Sequence, residues 1–183
     1  MITIIKQLIL FFFNIIRQPL WKLRGNQVSI HARICKGTLL RNCKIAPYVY
    51  IGRNCILNNT IIDEYSSIAS DVQIGGMEHA YWTHSTSHHL TSHNIESNIT
   101  HISADCWVAA GCIIKQGISL GLGSVLGANS FLNKNTPDFS IWVGSPAKLL
   151  KYRFDKELQK KIYQSRYWKL PPRSAKKVLQ TIT

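Results

Sequence analysis

The sequence is poor in acidic residues, has no long uninterrupted apolar run and contains no CxxC pair. Only 9 of its 183 residues are Asp or Glu, against 22 Lys and Arg, so the formal net charge is +13 and we expect an anionic partner. Nucleic acid, an acidic membrane surface and a phosphorylated co-substrate all satisfy that charge. No nucleic-acid-binding motif accompanies it, so we expect a partner other than nucleic acid.

The five cysteines argue against a disulfide framework or a zinc knuckle, because their number is odd and no CxxC spacing occurs. Four of them stand two places before an aliphatic residue, where a small buried hydrophobe fits. These four are Cys43, Cys55, Cys106 and Cys112. The usage is typical of a reducing compartment, and we expect a cytoplasmic protein.

The first 24 residues are apolar, but Lys6, Asn14 and Arg17 interrupt them well short of the ~20 residues that a spanning helix needs. They also lack the small-residue cleavage site of a signal peptide. On a helix of about 100° per residue, polar side chains gather on one side and most apolar ones on the other. We expect residues 1–24 to form an amphipathic helix, bent or ended by Pro19, that either lies in a membrane interface or packs on protein.

An aliphatic residue recurs at every sixth position from Ile102 to Leu132, with a mostly small residue two places before each. A period of six fits neither a helix nor a single strand; it is typical of short parallel strands that turn a corner every six residues. A looser block of the same repeat runs from Leu39 to Ile74, with Leu39 as its first inward position. Three hexads make one triangular coil, so the pattern predicts a β-solenoid in which residues 18 apart stack.

Residues 75–101 interrupt the repeat and hold six of the seven histidines. A long loop that leaves a regular scaffold is usually functional. Residues Asp155 to about Trp168 read as a basic helix that ends before two prolines. We therefore expect three parts: an amphipathic helix at 1–24, a solenoid at 25–153 that carries the loop, and a basic helix and tail at 154–183.

The repeat, the histidine-bearing loop and the segment VGSPAK at 143–148 together resemble the hexapeptide-repeat acyltransferases, closest to the sugar, polysaccharide and xenobiotic acetyltransferase branch. The resemblance covers roughly residues 28–153. It implies a left-handed parallel β-helix, a homotrimer with active sites between adjacent solenoids, and acetyl transfer from acetyl-CoA without a metal.

The resemblance also implies site residues. His79, the first histidine after the repeat breaks, matches the catalytic histidine, and Ala110 and Ala128 match positions beside the pantetheine arm. The residues expected near the nucleotide end and the phosphates of CoA are Asn133, Lys134, Lys148 and Lys151. Trp82 and His84, in the loop of His79, are expected to contact the acceptor, with loop packing as the alternative for Trp82.

Acetyl transfer to a hydroxyl needs a base, and histidine, whose ordinary pKa is near ~6.5, serves well at neutral pH. A carboxylate such as Glu78 would hold the imidazole in one tautomer. His84, His88, His89 and His93 invite a metal interpretation, but they lie in a Ser/Thr-rich loop with few carboxylates. We expect no metal.

We therefore expect an acetyl-CoA-dependent O-acetyltransferase acting on a sugar hydroxyl of a bacterial surface polysaccharide or its precursor. Antibiotic O-acetylation and amino-sugar N-acetylation use the same machinery, and a non-catalytic solenoid scaffold is the alternative outside the enzymes. The N-terminal helix and the basic C-terminal residues would hold the enzyme at the inner face of the membrane, where glycan precursors are carried on lipid.

Overall fold

The computed structural model describes residues 2–87, 89–90 and 96–182, and the side chains of these residues other than 2–11 and 13. The helices are α1 (Ile2–Leu23), α2 (Lys156–Ser165) and α3 (Pro172–Gln180), with a 3₁₀ turn at Tyr167–Lys169. The strands are β1 (Gln27–Val28), β2 (Arg33–Ile34), β3 (Leu39–Arg41), β4 (Lys44–Ile45), β5 (Tyr50–Ile51), β6 (Ile56–Asn58), β7 (Thr60–Ile62), β8 (Ser67–Ile68), β9 (Gln73–Gly76), β10 (Thr100–Ile102), β11 (Trp107–Val108), β12 (Ile113–Lys115), β13 (Ser119–Leu120), β14 (Val125–Leu126), β15 (Phe131–Leu132), β16 (Ser140–Val143) and β17 (Lys148–Tyr152).

The strands stack into three parallel sheets that form the sides of a triangular prism. Sheet I has the order β1-β4-β7-β10-β13, sheet II contains β2-β5-β8-β11-β14-β16-β17, and sheet III contains β3-β6-β9-β12-β15. The chain passes repeatedly from sheet I to II to III, turning at corners I–II, II–III and III–I. Only the last pair, β16 and β17, is antiparallel. The predicted parallel β-solenoid is confirmed.

One aliphatic side chain from each of the strands β1 to β15 points into the prism, and these residues form a continuous core. Ile62, Ile102 and Leu120 stack on sheet I in direct register, and each is fully buried. The four cysteines predicted as small core residues are also buried, and burial raises the pKa of the Cys106 thiol. The solenoid is held by close-packed apolar side chains, as its repeat predicts.

The repeat is shorter in the first two coils than in the later ones. Val28, Ile34 and Leu40 are buried in the first coil, and the next inward residue, Ile45, follows after only five positions. Leu39 is 55% exposed, so its predicted inward position is wrong by one residue. Counting back six residues from Ile45 reaches Leu39, but the actual step from the previous inward residue, Leu40, is only five. Leu40 therefore points into the core and Leu39 points outward.

Helix α1 covers the open end of the solenoid through polar side chains. The side-chain amide of Asn14 donates to the Ile30 and Ala32 carbonyls, and that of Gln18 donates to the Val28 carbonyl at 2.8 Å. These carbonyls belong to the first coil, which has no coil below it to pair with, so the helix protects an exposed strand edge. Among the described helices, none is long and apolar enough to span a bilayer.

The C-terminal residues form two helices where the sequence predicts one. Asp155 caps α2 by accepting from the Leu158 N–H at 2.8 Å, and α2 ends at Ser165 because Arg166 takes a left-handed conformation. Pro172, which the prediction treats as a stop, begins α3, where its fixed φ suits the first turn. Both helices pack on corner I–II around Ala104, Leu122 and Phe139.

Candidate functional site

The loop after β9 leaves the prism at corner III–I, and one buried side chain ties both its ends. Gln116 Nε2 donates to Glu78 Oε2 at 3.3 Å, while Gln116 Oε1 accepts from the Asn98 N–H at 3.3 Å. Lys115 Nζ lies 3.0 Å from Glu78 Oε1. A second tie joins Asn59 Nδ2 to the Ser97 carbonyl at 2.8 Å. We call Glu78, Asn98, Lys115 and Gln116 the loop clamp.

Within the clamp, Glu78 is an ionised partner rather than a base. The hydrogen bond from Lys115, followed by that from Gln116, lowers the pKa of the Glu78 carboxyl. Both of its oxygens bond to residues of the coil above. Glu78 therefore anchors the chain directly before His79 and does not orient the imidazole.

The imidazole of His79 is oriented by a backbone carbonyl of its own loop. His79 Nδ1 lies 2.9 Å from the Thr86 carbonyl oxygen. Because a carbonyl can only accept, Nδ1 carries the hydrogen and the neutral ring keeps its lone pair on Nε2. The side chain is exposed, so Nε2 can reach a bound acceptor. No sequence feature points to Thr86, because any residue supplies a carbonyl.

The two predicted acceptor residues lie in the same loop and are open to solvent. Trp82 is 61% exposed and makes an edge-to-face contact with Tyr81, with ring centroids 5.2 Å apart. His84 is exposed. Of the histidines considered as metal ligands, His88 and His93 lie outside the described residues. In the part of the chain that is described, no three His, Cys, Asp or Glu side chains converge on one point.

The predicted CoA residues divide between two corners. Ala110 and Ala128 are exposed and stack at corner II–III, where the Asn129 N–H donates to the Ala110 carbonyl at 2.9 Å. One layer further, Val143 lies against Gly127, and Lys148 is its partner in β17. These residues form a line that we call the alanine groove.

The remaining predicted residues lie elsewhere. Asn133 and Lys134 follow β15 at corner III–I, where Lys134 Nζ lies 5.7 Å from the centre of the Trp142 ring. Lys151 pairs with Ile141, farther along β17 toward corner I–II. Among the described residues of one chain, Lys148 alone of these four continues the alanine groove, and the roles of all the predicted CoA residues stay predictions.

His79 and the alanine groove are separated by the width of sheet III. Lys115, to which Glu78 is bound, ends strand β12, whereas Ala110 lies in the turn before that strand. Because Glu78 is held at corner III–I, the next residue, His79, also lies at that end of sheet III. The described residues of one chain thus present the imidazole and the groove at different corners.

A further histidine stands outside the loop proper. His101, predicted as the last loop residue, lies in β10 with Nε2 2.8 Å from Asp63 Oδ2. The hydrogen bond to Asp63 raises the pKa of His101 against the opposing effect of partial burial. The pair lies on the outer surface of sheet I.

Comparison with known proteins supports the fold. A family model described as GlmU-like, C-terminal hexapeptide matches residues 22–95. No curated protein matches the chain in sequence. A hexapeptide transferase family protein from Anaplasma phagocytophilum is similar in structure, with a TM-score of 0.50 and 16% identity over 85% of this chain and 92% of that one.

Two structures of AntD, an N-acyltransferase from Bacillus cereus, are also similar. A point mutant in complex with dTDP and coenzyme A has a TM-score of 0.63 and 20% identity, covering 74% of this chain and 78% of that chain. Another mutant, in complex with dTDP-4-amino-4,6-dideoxyglucose and coenzyme A, has a TM-score of 0.59 and 18% identity, covering 77% and 88%. The resemblance to hexapeptide-repeat proteins is confirmed at the level of the fold.

Proposed function

We propose that this protein is an acetyl-CoA-dependent acetyltransferase that acetylates a sugar hydroxyl of a bacterial surface polysaccharide or its precursor, with His79 as the general base. The observation that carries the proposal is the hydrogen bond from His79 Nδ1 to the Thr86 carbonyl. It presents an exposed, neutral Nε2 on a loop whose two ends are fixed by the clamp.

Besides this base, acetyl transfer requires few groups from the protein. Acetyl-CoA supplies an activated acyl group and a good thiolate leaving group, so no serine or cysteine nucleophile is needed. His79 Nε2 removes the hydroxyl proton as the acceptor oxygen attacks, and the Thr86 carbonyl stabilises the imidazolium through Nδ1–H. The same Nε2 can return the proton to the departing sulfur. A backbone N–H of the groove is the expected donor to the oxyanion.

The alanine groove suits the co-substrate. Ala110 and Ala128 present small exposed side chains on successive coils, which leaves space for an extended arm along the corner. Lys148, exposed at the end of that line, would meet phosphate groups through charge. The other three predicted residues do not lie on this line, so they would reach the same molecule only from another direction or from another chain. They are Asn133, Lys134 and Lys151.

The separation of imidazole and groove favours a homotrimer in which the loop of one chain faces the alanine groove of the next. Sheet III carries an outward row in register that is mostly aliphatic, with Leu39, Ile56 and Ile113 exposed by 55%, 41% and 45% and Gln73 between Ile56 and Ile113. Large exposed aliphatic side chains on one face favour a protein interface there. Packing of this face in a closed ring would bring corner III–I of one chain toward corner II–III of its neighbour.

The catalytic role is tested with His79→Ala, using acetyl-CoA turnover with an active acceptor. We expect kcat to fall about 10²- to 10⁴-fold, as for loss of a general base, with little change in KM for acetyl-CoA. His31→Ala, at an exposed histidine of the first coil far from the loop, is the control and should keep most of kcat. Unchanged turnover in His79→Ala would remove the mechanism and favour the scaffold alternative.

The shared site is tested by complementation. A His79→Ala chain and an Ala110→Trp chain are each expected to be inactive, the second through a blocked groove. Unfolded and reassembled together, they should recover about a quarter of wild-type activity, because random mixing pairs an intact histidine with an intact groove at that frequency. If base and groove belong to one chain, the mixture stays inactive.

N-acetylation of an amino sugar is the second candidate, favoured by the AntD structure that contains dTDP-4-amino-4,6-dideoxyglucose. The two candidates differ only in the acceptor atom. A screen with labelled acetyl-CoA against free sugars, lipid-linked glycans, antibiotics and nucleotide-linked amino sugars separates them. Product that survives mild alkali, which hydrolyses esters but not amides, would replace the O-acetyl assignment.

A further inference from the structure

In the part of helix α1 whose side chains are described, Asn14, Gln18 and Trp21 face the solenoid, and the other apolar side chains face solvent. Asn14 is 5% exposed and Gln18 is half-buried, and both donate to carbonyls of the first coil. Ile16, Leu20 and Leu23 are exposed by 71%, 63% and 84%. This is the reverse of an ordinary surface helix, whose apolar side packs on the core.

The basic residues of the helix border this apolar surface. At about 100° per residue, Ile16, Leu20 and Leu23 fall within one narrow sector, opposite to Asn14 and Gln18. Arg17 lies beside one edge of that sector and Lys22 on the side of the other edge, Arg24 directly follows the helix, and all three are exposed. An apolar ridge between two basic edges is the pattern of a helix that lies in a lipid interface.

The charge around the ridge has one sign. Nine of the 22 basic residues fall within residues 1–62, and all nine acidic residues come later in the chain. Arg33, Lys36, Arg41 and Lys44, on the coils next to α1, are exposed as well. The N-terminal end of the prism is therefore an uninterrupted positive surface with an aliphatic ridge across it.

We propose that this end of the protein binds an anionic lipid bilayer, with Ile16, Leu20 and Leu23 inserted among the lipid chains and the flanking Arg and Lys on the headgroups. Two copies meeting through the ridge would bring two positive surfaces together, so the charge disfavours self-association there. Nucleic acid would pair with the positive charge but would leave the apolar ridge exposed to water. The binding is independent of acetyl transfer and does not need the proposed function.

The test is sedimentation of the full chain with vesicles of phosphatidylcholine, either pure or with about one third phosphatidylglycerol, at moderate salt. We expect the chain to sediment with the anionic vesicles only. A variant with Leu20→Asp and Leu23→Asp should bind at least about ten-fold more weakly, since two inserted side chains become charged. Leu179→Asp, at a 42% exposed leucine of the basic helix α3, is the matched control and should bind like the wild type.

Circular dichroism and thermal unfolding establish that the variants fold, which their exposure leads us to expect. Failure of the wild type to sediment, or an equal loss in the control, would overturn the proposal. So would a changed oligomeric state of the double variant in gel filtration, because the ridge would then be an interface between chains. Equal binding to neutral vesicles would remove the role of the positive surface.

Discussion

Corners II–III and III–I join the same sheet to its two neighbours, yet they differ in what they tolerate. At corner II–III, in the described chain, the two inward residues on either side of the turn are always six positions apart, from Ile34–Leu40 to Leu126–Leu132. At corner III–I successive inward residues are five positions apart at Leu40–Ile45 and Leu57–Ile62, 28 apart at Ile74–Ile102 and six apart at Ile114–Leu120. One corner is constant in length, and the other accepts both deletion and a long insertion.

The difference follows from how successive turns contact one another. At corner II–III the turn residues adopt positive φ and stack coil upon coil. Asn54 donates to Asp71 at 3.2 Å, and the Asn129 side chain occupies the space beside Gly111. At corner III–I, Asn42 and Asn59 also have positive φ and stack, with Asn42 Nδ2 donating to Asn59 Oδ1 at 2.7 Å, but the loop interrupts this column. Across the interruption, Gln116 bonds to both ends of the loop. The side-chain clamp thus holds the coils together where the column of turns is broken.

The largest expected effect comes from adding one methyl group to each corner. Gly111 has φ +69°, and an added Cβ would lie 2.2 Å from Asn129 Oδ1. Gly111→Ala should therefore lower the free energy of unfolding by about 2–4 kcal/mol, from left-handed strain and overpacking. Gly76, at the start of the loop, has open space around its Cβ position, so Gly76→Ala should change stability by less than about 0.5 kcal/mol.

Urea denaturation of both variants measures this contrast. Equal destabilisation by the two substitutions would mean that the corners are alike in rigidity. A tolerated Gly111→Ala would show that the column of turns adjusts.

The core of the fold could be read from the sequence because it depends on period alone. A six-residue spacing with small companion residues identifies the inward positions from Ile102 to Leu132, and all of those aliphatic side chains are buried. Register at the first coil could not be read, since Leu39 and Leu40 are both leucine and only the length of the following turn decides between them. The second C-terminal helix was missed because Pro171 and Pro172 read as an end, whereas a proline is also a favoured helix start.

The next effect concerns the loop clamp. Gln116→Ala removes the bonds to Glu78 and to the Asn98 N–H together, so both ends of the loop lose one anchor. If His79 is the base, its misplacement should lower kcat about 10- to 100-fold while KM for acetyl-CoA changes little. Gln164→Ala, at an exposed glutamine of helix α2, is the control and should keep full activity.

Gln116→Asn keeps both functional groups on a shorter side chain and should restore part of kcat. A normal kcat in Gln116→Ala would show that the loop holds its position without the clamp. Loss of acetyl-CoA binding instead of kcat would place Gln116 in the groove and contradict its assignment to corner III–I.

The site was only partly readable from the sequence, for a related reason. His79 is marked by its position after the broken repeat, whereas Ala110 and Ala128 were predicted only through the family resemblance. Thr86 acts through its carbonyl, and Gln116 acts through bonds to residues 38 and 18 positions earlier, so neither leaves a local pattern. The division of the predicted CoA residues between two corners appears only when the coils are counted around the prism.

A smaller effect is expected from acid on the clamp. The pKa of Glu78 is lowered in the folded protein from its ordinary value of 4.5, chiefly by Lys115. The stabilisation is therefore complete above about pH 4.5 and is lost as the pH falls through the lower, folded-state pKa. Unfolding measured from pH 6 to pH 3 should show a shallower acid loss in Glu78→Gln than in the wild type. An unchanged slope would mean that the ion pair contributes nothing, which is common for exposed pairs.

The smallest expected effect concerns His101, in β10 just beyond corner III–I. Its contribution to stability depends on pH in the opposite direction to that of Glu78. The hydrogen bond to Asp63 raises the pKa of His101 in the folded protein above its ordinary value of 6.5. This pair is fully stabilising below about pH 6.5 and loses its contribution as the pH rises through the raised pKa, whereas Glu78 loses its contribution on the acid side. His101→Gln should lower the free energy of unfolding at pH 6 and have less effect at pH 9, since neutral His and Gln differ little there. The same substitution at His84, exposed in the loop, should leave stability alike at both pH values, and a pH-independent loss in His101→Gln would assign the residue to packing instead of charge.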